Sequence, residues 1–336
     1  MPAVAKGRSK TFQLTVLILA VLIGFGCSRK EAAGDIITYR LKWLFNTSAV
    51  GDLYADSQDL FAKEGLTVTI KEGGPERDAI RELELGRAQF GVASADQVIR
   101  ALSNGAEIIV IAQIFQVNPL QWIYRSDKIK LTELADLKGQ VLGVTFGGND
   151  ETILRTLLAK AGLTEADVRL YSVRYDYAPF LKKLVNFWPV YRNTQAVFLA
   201  EKLRGSGDAV AFFNPADYGV RFVANSLVTS KKMIESRPQT VHKFTTALLQ
   251  GWRAAMDPAN ADRAVGMLQR YDKDSTVEIL QQELAVTRSL VQPDRSVPIG
   301  FIDTAAWKQT EEIMLTQGLL PAPVQVEKIL RQIPRQ

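Results

Sequence analysis

The fold is decided by residues 83–102, which read LELGRAQFGVASADQVIRAL. A helix ends at Gly86, a short apolar strand covers Phe90–Ala93, and a helix follows the small-residue turn Ser94–Asp96. This strand–turn–helix unit places the backbone N–H groups of the helix start at the carboxyl end of a strand. In an open α/β sheet a small ligand binds at that edge. We therefore expect Ser94 to cap the helix and to turn its hydroxyl toward a ligand.

A second strand–turn–helix unit lies at residues 181–203, which read LKKLVNFWPVYRNTQAVFLAEKL. Its strand is predicted at Val185–Trp188 and its turn at Trp188–Thr194. Around the first unit, apolar runs alternate with helical patterns, which is typical of a doubly wound, mostly parallel sheet. Two such units far apart in one chain predict an α/β fold of two similar lobes with a ligand between them.

The composition is that of a globular protein, with 47% hydrophobic and 23% charged residues in 336. The formal net charge is +5, but the first 26 residues carry three basic residues and no acidic one, which leaves +2 for the rest. The basic balance is therefore partly a targeting feature, and it gives no reason to propose a nucleic acid as partner.

Residues 1–27 have the form of a signal peptide. Basic residues precede the apolar run Phe12–Phe25, which is shorter than the ~20 residues needed to cross a bilayer. The run leads into Cys27, the only cysteine, and a small residue before a lone cysteine resembles a bacterial lipoprotein cleavage site. The alternative is an ordinary signal peptide with an incidental cysteine. The absence of an A-x-A site favours the lipid anchor, and residues 28–35 are then a linker.

The cysteine and histidine counts restrict the chemistry. One cysteine and one histidine, His242, exclude a Cys/His zinc site. A Ser-His-Asp triad would have to use His242, and no nucleophile lies near it in the sequence. We therefore predict no metal, no cofactor and no enzymatic activity.

The candidate ligand cleft is formed by four turns at strand ends. They are Trp43–Ser48 and Ser94–Asp96 in the first lobe, and Gly147–Glu151 and Trp188–Thr194 in the second. Gly147 and Gly148 let the backbone approach a ligand closely. They precede a helix start, which favours an anionic or carbonyl group by ~0.3–1 kcal/mol.

Aromatic and amide side chains are concentrated in these turns. A flat heterocycle between two aromatic rings gains ~0.5–1.5 kcal/mol per pair, and an amide both donates and accepts hydrogen bonds. The alternative for the aromatic residues is ordinary packing between lobes. The predicted ligand-binding residues are Trp43, Asn46, Ser94, Gly147, Gly148, Asn149, Trp188, Tyr191 and Asn193.

Residues 36–255 resemble the binding proteins of ABC importers for nitrate, sulfonates and thiamine-pyrimidine precursors. The landmarks of that family follow in order as FAKEGL, FGVASAD, DLKG, ADYGV and LVTS. The resemblance implies a two-lobed periplasmic-binding-protein type II fold with two hinge crossovers. Lobe I is expected at residues 36–120 and 222–336, including the C-terminal helices, and lobe II at 121–221. The hinges are expected at Gln116–Tyr124 and Asn214–Phe222.

The resemblance also implies a function and partners. We expect a monomeric extracytoplasmic protein that closes on a small ligand and delivers it to an ABC permease and its ATPase. The aromatic residues favour a heteroaromatic ligand such as a thiamine-pyrimidine precursor, and sulfonate, nitrate or another small organic anion is the alternative. Many family members carry Glu where this chain has Gln195, which argues against a strongly basic ligand.

Two other classes of function fit the same resemblance less well. One is a pyrimidine synthase that uses a pyridoxal cofactor, but this chain lacks the cysteine-rich segment of that enzyme. The other is a sensory module that binds a solute for a signalling partner, which the sequence does not distinguish from a transport component.

Overall fold

The computed structural model describes residues 1–3, 35–74, 76–173 and 176–333. The predicted signal peptide beyond residue 3, Cys27 and the linker up to residue 34 lie outside the described residues. Residues 1–35 and residues 36–336 are separate units by their contacts, and the fold below is that of the second unit. None of the helices in the described ranges is both long enough and apolar enough to cross a membrane.

The strands of the described residues form two five-stranded sheets. They are β1 (Asp35–Arg40), β2 (Leu66–Lys71), β3 (Phe90–Ala93), β4 (Ile108–Gln113), β5 (Leu120–Arg125), β6 (Val141–Val144), β7 (Arg169–Ser172), β8 (Phe187–Tyr191), β9 (Val210–Phe213) and β10 (Ser226–Ser230). The first sheet has the order β2-β1-β3-β10-β4 and belongs to lobe I, whereas the second has the order β7-β6-β8-β5-β9 and belongs to lobe II.

The helices cover both sheets and follow most of the strands. They are α1 (Val50–Ser57), α2 (Leu60–Lys63), α3 (Ala79–Glu84), α4 (Ala95–Ser103), α5 (Asn149–Lys160), α6 (Ala178–Leu181), α7 (Gln195–Gly205), α8 (Lys231–Ser236), α9 (Pro238–Met256), α10 (Ala261–Leu268), α11 (Val277–Val291) and α12 (Thr304–Thr316). Short 3-10 turns lie at Thr47–Ala49, Leu134–Leu137, Glu165–Asp167, Pro215–Tyr218, Pro258–Asn260 and Val326–Ile329.

Both sheets are mixed, because one strand in each runs antiparallel to both of its neighbours. In lobe I, β1 and β3 are parallel, but β10 runs antiparallel between β3 and β4. In lobe II, β6 is parallel to β7 and β8, but β5 is antiparallel to β8 and β9. The antiparallel strands β5 and β10 are those by which the chain enters each sheet from the other. The chain arrives at the edge where the parallel strands end, so the entering strand runs against them.

The chain passes between the sheets at residues 114–119 and 219–225. The two passages lie side by side, because the Asn118 side-chain nitrogen donates to the Phe222 carbonyl oxygen over 3.1 Å. The predicted hinge Gln116–Tyr124 extends too far, since β5 already begins at Leu120. The exact lobe limits at residues 120 and 222 stay a prediction.

The long helix α9 packs against the lobe I sheet, as expected for the C-terminal helices. Its Phe244 ring stacks on Phe90 of β3, with ring centroids 3.8 Å apart and an interplanar angle of 4°. Tyr39 of β1 meets the same ring edge-on, with centroids 5.1 Å apart. Helix α9 also crosses α1 closely, because glycines lie at the contact on both helices, Gly51 and Gly251. The core of lobe I therefore depends on a helix far away in the sequence.

Replacing Gly51 by alanine tests this close crossing. A Cβ atom at Gly51 would overlap the Trp252 ring, and overpacking of this kind costs ~1–3 kcal/mol. A Cβ atom at Gly266 in α10 would meet nothing within 4 Å beyond its own helix, so Gly266→Ala should instead stabilise by ~0.5–1 kcal/mol. Urea unfolding of both variants and the parent measures the two effects. Equal midpoints for the two variants would contradict the account.

Candidate ligand-binding site

A cleft of about 370 Å³ lies between the two sheets and is lined from both lobes. This volume is within the ~300–1,000 Å³ of typical small-molecule sites. Seven of the nine predicted residues line it: Trp43 and Asn46 from lobe I, and Gly147, Gly148, Asn149, Trp188 and Tyr191 from lobe II. The structure therefore brings Trp43 and Trp188 to one cavity, although 145 positions separate them in the chain.

The turn between β6 and α5 needs both of its glycines. Gly147 has a φ of +80°, and a side chain at Gly148 would overlap the Asp150 carboxylate and come within 2.9 Å of the Thr145 carbonyl oxygen. The Thr145 amide donates to Asp150 Oδ2 over 2.6 Å, and the Gly147 amide donates to Glu151 Oε2 over 2.6 Å. Carboxylates of the chain itself therefore occupy amides of this turn, which weakens the predicted attraction for an anionic ligand.

Lys42 is a functional candidate that the sequence reasoning missed. Its Nζ donates to the Tyr191 hydroxyl over 2.9 Å and lies 5.6 Å from the centre of that ring, so it bridges the lobes inside the cleft. Burial alone would lower the pKa of Lys42, but Tyr191, Asp96 and Asp150 raise it above its ordinary value. The available signal was its position: Lys42 follows shortly after β1, where that strand reaches the cleft.

Two carboxylates accompany this cation. Burial raises the pKa of Asp150 to about 6, against the opposing effects of the Thr145 hydrogen bonds and Lys42. Asp96 is fully buried, and neither of its carboxylate oxygens has a hydrogen-bond partner among the described residues. The cleft region thus holds one lysine close to two acidic side chains, and Asp150 is the one that lines the cavity.

The aromatic lining differs in its placement from the prediction. Trp188 lies inside β8, opposite Ile123 of β5, and not in a turn. The turn was predicted at Trp188–Thr194, but the strand continues through Pro189 to Tyr191. Only 2% of Trp188 is exposed, and its ring packs against Phe180 with centroids 6.0 Å apart. Tyr177 and the half-exposed Phe146 add two further aromatic rings to the cleft.

Ser94 caps α4 as predicted but does not line the cleft. It is fully buried, and both its amide and its hydroxyl lie within hydrogen-bond distance of Gln97 Oε1, at 3.1 and 3.0 Å. This capping box consumes the hydroxyl that was expected to face a ligand. Gln97 lines the cleft in its place.

Asn193 is also buried outside the cleft lining. Its Nδ2 donates to Ser48 Oγ over 3.1 Å and to Thr287 Oγ1 of α11 over 3.0 Å. The side chain therefore joins the lobe II turn to lobe I, and it has no position against a ligand. Arg100 of α4 makes a similar connection, since it donates to the Thr152 hydroxyl of α5 over 3.0 Å.

The side-chain amides of Asn46 and Gln195 already hydrogen-bond in part to the chain itself. Asn46 accepts from the Ser48 amide over 2.8 Å through Oδ1, which leaves its nitrogen for the cleft. Gln195 accepts from the Tyr191 amide over 3.0 Å and from the Thr194 hydroxyl over 2.7 Å. The Gln195 carbonyl oxygen therefore holds the turn before α7, and only its nitrogen remains for a ligand.

A buried glutamate lies beside the cleft on helix α11. Thr47 donates to Glu283 Oε2 over 2.5 Å, and burial raises the pKa of Glu283 to about 7, with Asp272 adding to the effect and Thr47 opposing it. Burial, and then Glu283, raises the pKa of the cleft-lining Tyr177 to about 12. A single glutamate on a helix carries no sequence signal of burial, so this group was not predicted.

Two lobes, two adjacent crossing segments and a cleft lined from both sides define the class of two-lobed solute-binding proteins. Residues 46–261 match the family described as NMT1/THI5 like, and the chain belongs to this family. The match confirms the resemblance that the sequence landmarks indicated.

Two curated relatives cover nearly the whole chain. The riboflavin-binding protein RibY of Chloroflexus aurantiacus is 25% identical over 305 residues, which are 87% of this chain and 84% of that protein. The formylaminopyrimidine-binding protein of Halalkalibacterium halodurans is 23% identical over 332 residues, which are 96% of this chain and 99% of that protein. Both relatives are named for binding a small solute.

Solved structures confirm the fold. The alkanesulfonate-binding protein SsuA of Xanthomonas axonopodis pv. citri, solved with bound MOPS, has a TM-score of 0.68 at 18% identity, over 89% of this chain and 98% of its own. The desulfurization enzyme DSZB has a TM-score of 0.61 at 14% identity, over 89% of this chain and 96% of its own. The fold is therefore that of periplasmic binding proteins, and the same fold also occurs in an enzyme.

The buried Glu283 predicts a pH dependence of stability. Its pKa of about 7 in the folded protein lies above its ordinary 4.5. The folded state therefore holds this proton more tightly than the unfolded state, so the contribution of Glu283 to stability is most favourable below pH 4.5 and is lost as the pH rises through 7. Glu283→Gln keeps the Thr47 contact without the charge, so at pH 8 it should exceed the parent by up to ~3 kcal/mol and at pH 4.5 match it.

Thermal melts of both proteins between pH 4.5 and 8 check this expectation. Glu278→Gln, on the same helix, is the matched control, because Glu278 is exposed and its own backbone amide and Thr276 lower its pKa. That variant should not gain stability at pH 8. A gain for Glu278→Gln, or none for Glu283→Gln, would show that the burial of Glu283 does not control the profile.

Proposed function

We propose that the chain is the extracytoplasmic solute-binding component of an ABC importer, which closes its lobes on a small heteroaromatic molecule and delivers it to a permease and its ATPase. One observation carries the proposal: aromatic rings from both lobes line the same cleft together with side-chain amides. A ligand that contacts both lobes favours the closed arrangement, since it binds that state better than the open one.

Stacking and edge recognition are divided among the lining residues. Trp43 of lobe I and Tyr191 and Trp188 of lobe II supply the aromatic lining against which a flat ligand packs. Asn46 and Asn149 meet its polar edge, while Gly147 and Gly148 give it space beside α5. The ligand is thus held by groups that meet only when the lobes are together. The names of the relatives, which bind riboflavin and formylaminopyrimidine, support a ligand of this chemistry.

A small organic anion such as a sulfonate is the alternative, and Lys42 favours it. Against it stand Asp150, which lines the cleft, and Asp96, whose charge also acts on Lys42. Because the charges of these two carboxylates already act on the lysine, an added anion would meet more negative than positive charge. A neutral heterocycle with N–H donors avoids that repulsion and uses the same aromatic walls.

The residue content of the cleft supports binding without catalysis. His242, the only histidine of the chain, lies on α9 and does not line the cleft.

The expected lipid anchor at Cys27 would tether the protein, as a monomer, to the outer face of the membrane. That part of the proposal depends on the sequence pattern of residues 1–27 alone.

Thermal shift measurements against two ligand classes test the proposal. A bound ligand at 100 times its Kd stabilises the fold by ~2.7 kcal/mol. We expect 4-amino-5-hydroxymethyl-2-methylpyrimidine or riboflavin to raise the Tm, and taurine and MOPS to leave it unchanged. Trp43→Ala should weaken binding of the effective ligand by about 0.5–1.5 kcal/mol, which is roughly 2- to 10-fold in Kd.

The control is Phe212→Ala, which removes a partly exposed aromatic side chain on β9 outside the cleft lining. This variant should bind as the parent does. A Tm raised by taurine or MOPS and not by the heteroaromatic probes would replace the proposed ligand class with the anionic one. Equal binding by Trp43→Ala and the parent would remove the stacking role.

A further inference from the structure

Two side-chain amides that line the cleft from opposite lobes each have one buried atom without a hydrogen-bond partner in the described part of the chain. Asn149 is the first residue of α5 in lobe II, and Asn225 precedes β10 on the passage back into lobe I. Both line the cleft, and only 7% and 8% of their surfaces are exposed. Asn149 Nδ2 and Asn225 Oδ1 have no hydrogen-bond partner among the described residues. Asn225 was not singled out in the sequence.

Lack of a partner is unusual for buried polar atoms, because each such atom costs the desolvation of an unmade hydrogen bond. In the described part of the chain, unpartnered buried side-chain atoms also occur on Arg40, Asp96, Asn193, Thr245 and Arg288. None of those five residues lines the cleft. Among the described residues, Asn149 and Asn225 are thus distinguished because they combine an unpartnered buried atom with a place in the cleft lining, where a bound ligand can supply the missing partner.

The backbone holds Asn225 firmly in place. Its carbonyl oxygen accepts from the amides of Ile114 and Phe115 over 3.0 and 3.2 Å, so it is bonded to the other interlobe passage. Asn149 is fixed by the first turn of α5, where the Asp150 carboxylate accepts from the Thr145 amide. Both amides are therefore carried on ordered backbone, which is what selective hydrogen bonding to a ligand requires.

We propose that Asn225 and Asn149 are a specificity pair that reads the polar edge of the ligand from both lobes. Asn225 accepts an N–H of the ligand through Oδ1, and Asn149 donates through Nδ2 to a ring nitrogen or carbonyl oxygen. The ligand class is a heterocycle that carries an N–H donor and an acceptor, as amino- and oxo-pyrimidines do. Asparagine reads the donor–acceptor edge of adenine with the same groups. This inference rests on the proposed function.

Single substitutions test the two roles separately, with 4-amino-5-hydroxymethyl-2-methylpyrimidine and riboflavin as the calorimetric probes. Asn225→Ala and Asn149→Ala should each raise the Kd of a probe that the parent binds by roughly 5- to 100-fold. Asn225→Asp keeps an acceptor and should recover most of that loss. Asn149→Asp replaces the donor by acceptors and should not recover it. Asn104→Ala, at an exposed helix end outside the cleft, is the control and should leave the Kd unchanged.

The outcomes separate this inference from the proposed function. If the parent binds a probe and both alanine variants bind it equally well, the pair is not a reader of the ligand, and the function stands. If Asn149→Asp recovers binding and Asn225→Asp does not, the assigned donor and acceptor roles are wrong. If the parent binds neither probe, both the function and the pair are overturned. Far-ultraviolet circular dichroism and the Tm of each ligand-free variant exclude misfolding as the cause of a loss.

Discussion

The structure depends on polar groups of one lobe that find their partners on the other. Lys42 of lobe I donates to Tyr191 of lobe II, and Asn193 of lobe II donates to Ser48 and Thr287 of lobe I. Buried polar groups are costly unless they are hydrogen-bonded. These contacts therefore favour the closed arrangement. Each is weak enough to open again, at ~0.5–1.5 kcal/mol for the neutral Asn193 bonds and ~1.5–3 kcal/mol for the bond from the charged Lys42.

The topology brings those partners together. Strands β5 and β10 enter their sheets against the parallel strands, so the chain changes lobes at the edge where the parallel strands end. The turns that follow the parallel strands of the two lobes then face one another across the cleft. Helix α11 of the C-terminal region contacts both lobes: its Thr287 accepts a hydrogen bond from Asn193 of lobe II, and its Glu283 accepts one from Thr47 of lobe I. Binding and hinge movement are thus built on the same few segments.

Local pattern was enough to predict the framework of this site. The strand Phe90–Ala93, the cap Ser94 and the glycine turn before α5 follow from apolar runs and turn chemistry. The predictions that were wrong concern features set by tertiary contacts, which a local pattern does not contain. The hydroxyl of Ser94 has a competing partner, Gln97, and the strand β8 passes through a proline because β5 pairs with it. Asn225 lies on the segment 219–225, by which the chain returns to lobe I. No short-range sequence pattern shows that this segment reaches the cleft.

The central claim is that the ligand is held between the lobes and stabilises their closed arrangement. Small-angle X-ray scattering of the protein with and without a saturating heteroaromatic ligand tests it most directly. The account predicts that the ligand lowers the radius of gyration and that the saturated protein fits the closed structure. An unchanged scattering curve at proven saturation, with a poor fit to the closed structure, would contradict it.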